Sequence, residues 1–239
     1  METQASADSS APEKPKPLNK LQRRILGVLI EKARTTPDAY PLSLAGLVAG
    51  ANQKSNRSPL MNLSPEQIED ELIQMRSLGI AAEIQGSGRV SRFRHYGYDY
   101  LGIKGAEVAV MTELLLRGEQ TAGDLRVRAS RFEPIPDLTA LNEILRTLLQ
   151  KGLVITLTPP GRGQVFSHNL YQPEELTKLK NKFVGATGDN DDEVDQNESA
   201  PAVSRPTRSG GEVAALQAEV EELRGLLATL EERVTRLES

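Results

Sequence analysis

Cysteine and tryptophan are both absent from this sequence of 239 residues. Without cysteine there are no disulfides, no thiolate nucleophiles and no thiolate metal ligands. The same absence fits a reducing compartment. Histidine is scarce: His95 and His168 are the two in the chain, too few for a histidine-rich zinc site or a proton relay. No stretch approaches the roughly 20 apolar residues of a membrane helix. Residues 1–17 lack the apolar run of a secretory leader. These absences predict a cytoplasmic protein with no membrane contact. Catalytic signatures are missing too. There is no Gly-x-x-x-x-Gly-Lys phosphate loop and no Gly-x-Ser-x-Gly elbow. Gly86-Ser87-Gly88 lacks the third glycine of a dinucleotide fingerprint. Asp191-Asp192-Glu193 could attract cations but has no fixed cage around it. His95 and His168 read as packing or surface residues. The expectation is no enzyme, no cofactor and no metal.

Charge is present but unevenly placed. The net charge is −4. Residues 18–104 hold 12 basic and 8 acidic side chains, and residues 105–184 hold 10 and 9. Residues 185–239 hold 5 and 13. A mildly basic body with an acidic tail permits nucleic-acid binding without demanding it.

Apolar spacing predicts the organisation. Residues 1–17 are rich in Ser, Ala, Pro, Glu and Lys and read as a disordered tail. Leu18, Leu21, Ile25, Val28 and Leu29 follow a helical period, broken by Thr35-Thr36-Pro37-Asp38. Ser43 caps a second short helix. Ser64-Pro65-Glu66-Gln67 opens a third with a capping box, and Gly79 closes it. Residues 80–84 and 90–96 flank a glycine turn and predict a β-hairpin. The order then repeats, with helices over 106–117, after Thr121 and from Leu138 to Gly152. A second hairpin spans 153–157 and 165–171. Aligning the turns gives an offset of 75, pairing Gly86, Gly88, Val90 and Tyr96 with Gly161, Gly163, Val165 and Tyr171. Three helices and a hairpin, twice over, predict two tandem winged-helix domains, 18–104 and 105–184. The fold class is mainly α with small β-hairpins (α+β).

Residues 185–211 read as a flexible acidic linker. Residues 212–239 carry the sharpest pattern in the chain. Val213, Leu216, Val220, Leu223, Leu227, Leu230, Val234 and Leu237 alternate spacings of three and four. This is a coiled-coil seam with Leu at every d position and Val at three of four a positions, a combination that favours a parallel homodimer.

The stretch Ile25-Leu26-Gly27-Val28-Leu29-Ile30-Glu31-Lys32 resembles the YceH-like family of uncharacterised bacterial proteins. So do Thr36-Pro37-Asp38-Ala39-Tyr40-Pro41-Leu42-Ser43-Leu44 and Asn52-Gln53-Lys54-Ser55-Asn56-Arg57-Ser58-Pro59. The similarity runs from about Leu18 to Tyr171. It implies tandem winged-helix domains and no established activity. In the family a Cys often precedes the Asn-Gln-Lys motif, whereas Ala51 stands there in this chain.

Two functions compete. Winged helices most often bind duplex DNA, which makes a DNA-binding or transcription-regulatory module the first expectation. Its candidate phosphate contacts are Lys54, Arg57, Arg89, Arg92 and Arg94 in the first domain, and Arg126, Arg128, Arg131 and Arg162 in the second. Arg92 and Arg94 alternate and should share one strand face. Against this, the third helix carries Glu66, Glu69, Asp70 and Glu71 with one Arg, Arg76, and phosphates would repel it. The alternative is a protein-interaction scaffold whose acidic third helix suits a basic protein partner. The stretch 52–57 could be a binding loop, or a lock that satisfies backbone groups and ties the turn to the sheet.

Overall fold

A computed structural model describes residues 15–85 and 90–184. The first helix, α1 (Lys20–Thr35), begins where Asn19 accepts from the Leu21 and Gln22 amides, while the Gln22 side chain accepts from the Asn19 amide in return. Residues 22–31 of α1 are all buried, so it is a central helix rather than a surface one. A 3-10 turn, Pro37–Ala39, leads to strand β1 (Leu42–Ser43). Helix α2 (Leu44–Ala51) follows, capped by the Ser43 hydroxyl accepting from the Gly46 amide. Helix α3 (Pro65–Ser77) opens with the Ser64/Gln67 capping box and buries Ile68, Leu72 and Met75. Strands β2 (Ala81–Gln85) and β3 (Ser91–His95) form the hairpin, and the sheet order is β1-β3-β2, antiparallel. A short helix, α4 (Gly97–Leu101), closes this half.

The second half repeats the order. It consists of α5 (Ala106–Arg117), β4 (Gln120–Thr121), α6 (Ala122–Ala129), α7 (Leu138–Gln150), β5 (Val154–Thr156) and β6 (Val165–His168). Its sheet order is β4-β6-β5. Helix α8 (Pro173–Val184) follows.

Pairing corrects the hairpin alignment from 75 to 73. Ala81 faces His95 in the first hairpin and Val154 faces His168 in the second. The Tyr96 amide donates to Ile80 O at 2.7 Å, and the Asn169 amide donates to Leu153 O at 2.7 Å. Phe93, His95 and Tyr98 therefore correspond to Phe166, His168 and Tyr171. Register is fixed by these inward-facing residues, not by interchangeable turn glycines.

The two halves share one core. Gly27 lets α1 approach α5: a Cβ there would lie 2.9 Å from Leu116 Cδ2 and 3.2 Å from Leu115 Cβ. The Leu18 amide donates to Leu170 O, and the Ser58 amide donates to Leu116 O. Buried residues from Leu18 to Leu170 form one apolar cluster, and the described residues fall in one compact unit. Among the described residues no helix is long and apolar enough to cross a membrane.

Candidate interaction surfaces

Along α3 the apolar spacing buries one stripe and leaves the rest outside. Glu66, Glu69 and Asp70 are exposed on it, while Glu71 accepts two bonds from Asn19 Nδ2 at 2.9 and 3.0 Å and so ties α3 to α1. The Ser64 hydroxyl holds the Glu66 carboxyl below the usual carboxylate value, which keeps it anionic. Beside this rim runs a groove of about 410 Å³ between α3, α2 and the hairpin. Its walls include Leu44, Ile73, Val90 and Phe93. Ile73 is 59% exposed and Val90 62%, a solvent-facing apolar pair on a mostly polar surface. Arg76 bonds Glu83 across the groove at 2.6 Å, so this cation is already neutralised. The acidic rim was legible in the sequence. The groove was not, because Ile73 lies off the Ile68–Leu72–Met75 stripe and its exposure depends on where the hairpin folds back.

The nine basic candidates do not converge on one surface. Arg57 is buried: its guanidinium donates to Gly50 O, to Asn56 O and to Glu31. It is not placed to meet a ligand. Arg126 donates to the Ile135 and Pro136 carbonyls, and Arg128 donates to Gln120 Oε1 at 2.7 Å. Arg131 reaches Glu31 and Glu113 at 3.2 and 2.9 Å. Arg92 and Arg94 share the exposed face of β3. Arg92 donates to Pro41 O, and Arg94 lies 5.1 Å over the Tyr96 ring. Lys54 and Arg162 are exposed. Arg89 lies outside the described residues, as do the seam positions Val213, Leu216, Val220, Leu223, Leu227, Leu230, Val234 and Leu237.

Arg57, Arg117 and Arg131 instead converge on two buried carboxylates. Glu31 on α1 and Glu113 on α5 each sit four residues before their helix ends. Glu31 pairs with Arg57 and Arg131. Glu113 lies at ion-pair distance from Arg131 and from Arg117, without hydrogen-bond geometry. Burial raises the Glu113 carboxyl and lowers the Arg117 guanidinium. Arg117 also bonds the Asn56 side chain. Asn52 meanwhile donates to Leu63 O at 2.8 Å and accepts from the Leu63 amide at 2.7 Å. The 52–57 stretch is thus tied to α1, α5 and the entry to α3, and not to the sheet. Its side chains satisfy backbone groups that the connection would otherwise bury unpaired. The missed signal was a glutamate four residues before the end of each of the two buried helices, α1 and α5.

Both histidines are buried. The Gly97 amide donates to His95 Nδ1 and the Leu170 amide to His168 Nδ1. Burial pushes His95 down to about 4 and holds His168 well below 6.5. Each contacts its tyrosine, Tyr98 at 4.7 Å and Tyr171 at 4.0 Å between ring centroids. Among the described residues no group of three metal-ligating side chains occurs.

A family profile described as a protein of unknown function, DUF480, matches residues 18–162. A UPF0502 protein of Rhodopirellula baltica is 54% identical over 178 residues, covering 74% of this chain and 75% of that one. A UPF0502 protein of Dechloromonas aromatica is 37% identical over 214 residues, covering 88% and 94%. One of Geotalea daltonii is 42% identical over 163 residues, covering 67% and 75%. The chain belongs to the DUF480, or UPF0502, family of uncharacterised bacterial proteins, the YceH-like proteins.

Proposed function

We propose that the chain is a non-enzymatic tandem winged-helix protein of the cytoplasm that docks another protein in the α3 groove. The observation that carries this reading is the pairing of exposed Ile73 and Val90 with the exposed carboxylates of Glu66, Glu69 and Asp70. An acidic rim repels a phosphate backbone. It attracts a segment with Lys or Arg beside apolar residues, which the groove floor can desolvate. The repeated element order, with the same sheet order in each half, supports the winged-helix reading. The heptads over 213–237 support a parallel homodimer, which would present two grooves and raise apparent affinity for a repeated partner.

A second reading, duplex DNA contact through the hairpins, rests on Arg92 and Arg94 sharing an exposed strand face. Such contact would position on phosphates without reading bases. It ranks second because Arg57, Arg126, Arg128 and Arg131 have intrachain partners.

The test is selection of displayed random peptides on the full-length protein. Enriched peptides should combine basic and apolar residues, and should lose about tenfold or more in affinity to Ile73→Glu and to Glu69→Lys. Lack of enrichment, or peptides blind to both substitutions, would overturn the docking reading.

A further inference from the structure

A second cleft, of about 520 Å³, lies away from the α3 groove. Its walls come from the start of α1, the loop at Ser58, Pro59 and Met61, the end of α5, and α8. Its size is within the range of small-molecule sites.

The charge of this cleft is lopsided. Six cations line it: Lys20, Arg23, Arg24, Arg117, Lys178 and Lys182. Two carboxylates face them, and both are committed. Glu175 accepts two bonds from Arg23, at 2.7 and 3.0 Å, and Glu119 pairs with Lys182 at 2.6 Å. Arg117 leans on Glu113 from behind.

Arg24 is the informative residue. It is 1% exposed. Its two terminal nitrogens donate to the Ala51 and Pro59 carbonyls at 3.1 and 2.7 Å. Its Nε has no partner among the described residues. The buried guanidinium thus has no carboxylate bonded to it and one nitrogen without a partner. Burial, and then the neighbouring Arg57, depress it to about 10, with Glu31 acting the other way. A buried cation is costly unless an anion compensates it. The remaining walls include Met61, Leu115 and Leu179, an apolar surface next to the cations.

We propose that this cleft binds a small organic anion, a phosphate or carboxylate group on an apolar body. The anionic group would be held among Lys20, Arg117 and Lys178, with the buried Arg24 adding uncompensated positive charge beneath them. The body would lie against Met61, Leu115 and Leu179. This site is independent of the α3 groove, so either can fail alone.

Calorimetric titration of the full-length protein tests it, with phenyl phosphate as the probe. Benzoate, inorganic phosphate and benzyl alcohol are the comparisons. Arg24 is left intact, because removing it would strand the Ala51 and Pro59 carbonyls. Lys20→Glu and Lys178→Glu are surface changes, and their folding is checked by thermal melting. Phenyl phosphate should bind with one saturable site per chain, about tenfold or more tighter than benzyl alcohol or inorganic phosphate. Each substitution should weaken it by a similar factor with melting unchanged. Benzoate binding as tightly as phenyl phosphate upholds the site and assigns it to carboxylates. Weaker benzoate binding upholds it and assigns it to phosphates. Three results would overturn the proposal: no saturable binding at about 10 mM probe, benzyl alcohol binding equally well, or both variants retaining full affinity.

Discussion

The two halves of the molecule carry the same elements in the same order and differ in what they show to solvent. Phe93, His95 and Tyr98 recur as Phe166, His168 and Tyr171, at the same hairpin register. Glu31 and Glu113 recur at the same distance from their helix ends. The outer helices diverge. Helix α3 exposes Glu66, Glu69 and Asp70, whereas α7 exposes Asn142 and a Glu143–Arg146 pair. Packing chemistry is common to both halves, and the surfaces are not. A surface feature present in one half alone is therefore the better guide to binding, which favours the α3 groove.

The largest expected effect comes from the buried carboxylates. Glu31→Ala leaves the buried Arg57 guanidinium without its carboxylate, at a cost of about 3–5 kcal/mol, and Glu113→Ala removes the carboxylate that faces Arg117 and Arg131. Glu31 should cost more, because its partner Arg57 has a fully buried side chain while Arg117 and Arg131 remain partly solvated. Denaturant unfolding of the two variants checks the ranking. Equal losses would contradict the ranking, and negligible losses would contradict the role given to the buried carboxylates.

A smaller effect concerns the histidine pair. Their folded values lie below the ordinary 6.5. The unfolded chain then binds protons that the folded chain refuses. Stability is fully present above about pH 6.5 and is lost as pH falls; His95 contributes on the order of 3 kcal/mol of this as pH approaches 4, and His168 acts in the same direction. Glu113, raised by burial, acts in the opposite sense in the carboxylate range. Replacing both histidines by Gln should flatten the pH 4–6.5 part of a stability curve. A curve of unchanged slope would contradict the buried, neutral assignment.

The smallest effect sharpens the comparison of the outer helices. Ser64 caps α3 and Asp137 caps α7, each accepting from the third amide of its helix. Replacing either with Ala should cost about 1 kcal/mol, readable as a shift in thermal midpoint. A marked difference between them would show that the two helices are not equivalently anchored.

Much of this architecture was legible before the structure. The Ser43 and Ser64 caps, the Gly79 stop and the 106–117 helix stand where local chemistry put them. Two-residue strands β1 and β4 were not legible, because pairing with β3 and β6 makes them, not their own pattern. Helix α8 had a readable start in Pro173, Glu174 and Glu175, but its apolar face is short, with Leu176, Leu179 and Phe183 only half-buried. The fate of the arginines was the least legible. Arg57 and Arg131 look like surface cations until α1 and α5 bring Glu31 and Glu113 together, which depends on contacts between distant parts of the chain.

On the proposed reading the α3 face meets a protein and not a phosphate backbone. Fluorescence anisotropy of a labelled random-sequence duplex pool, titrated with full-length protein at low and at physiological salt, tests it most directly. The expected result is no saturable binding at micromolar protein, even at low salt. Micromolar binding that weakens steeply as salt rises would contradict it and move DNA contact through Arg92 and Arg94 to first place.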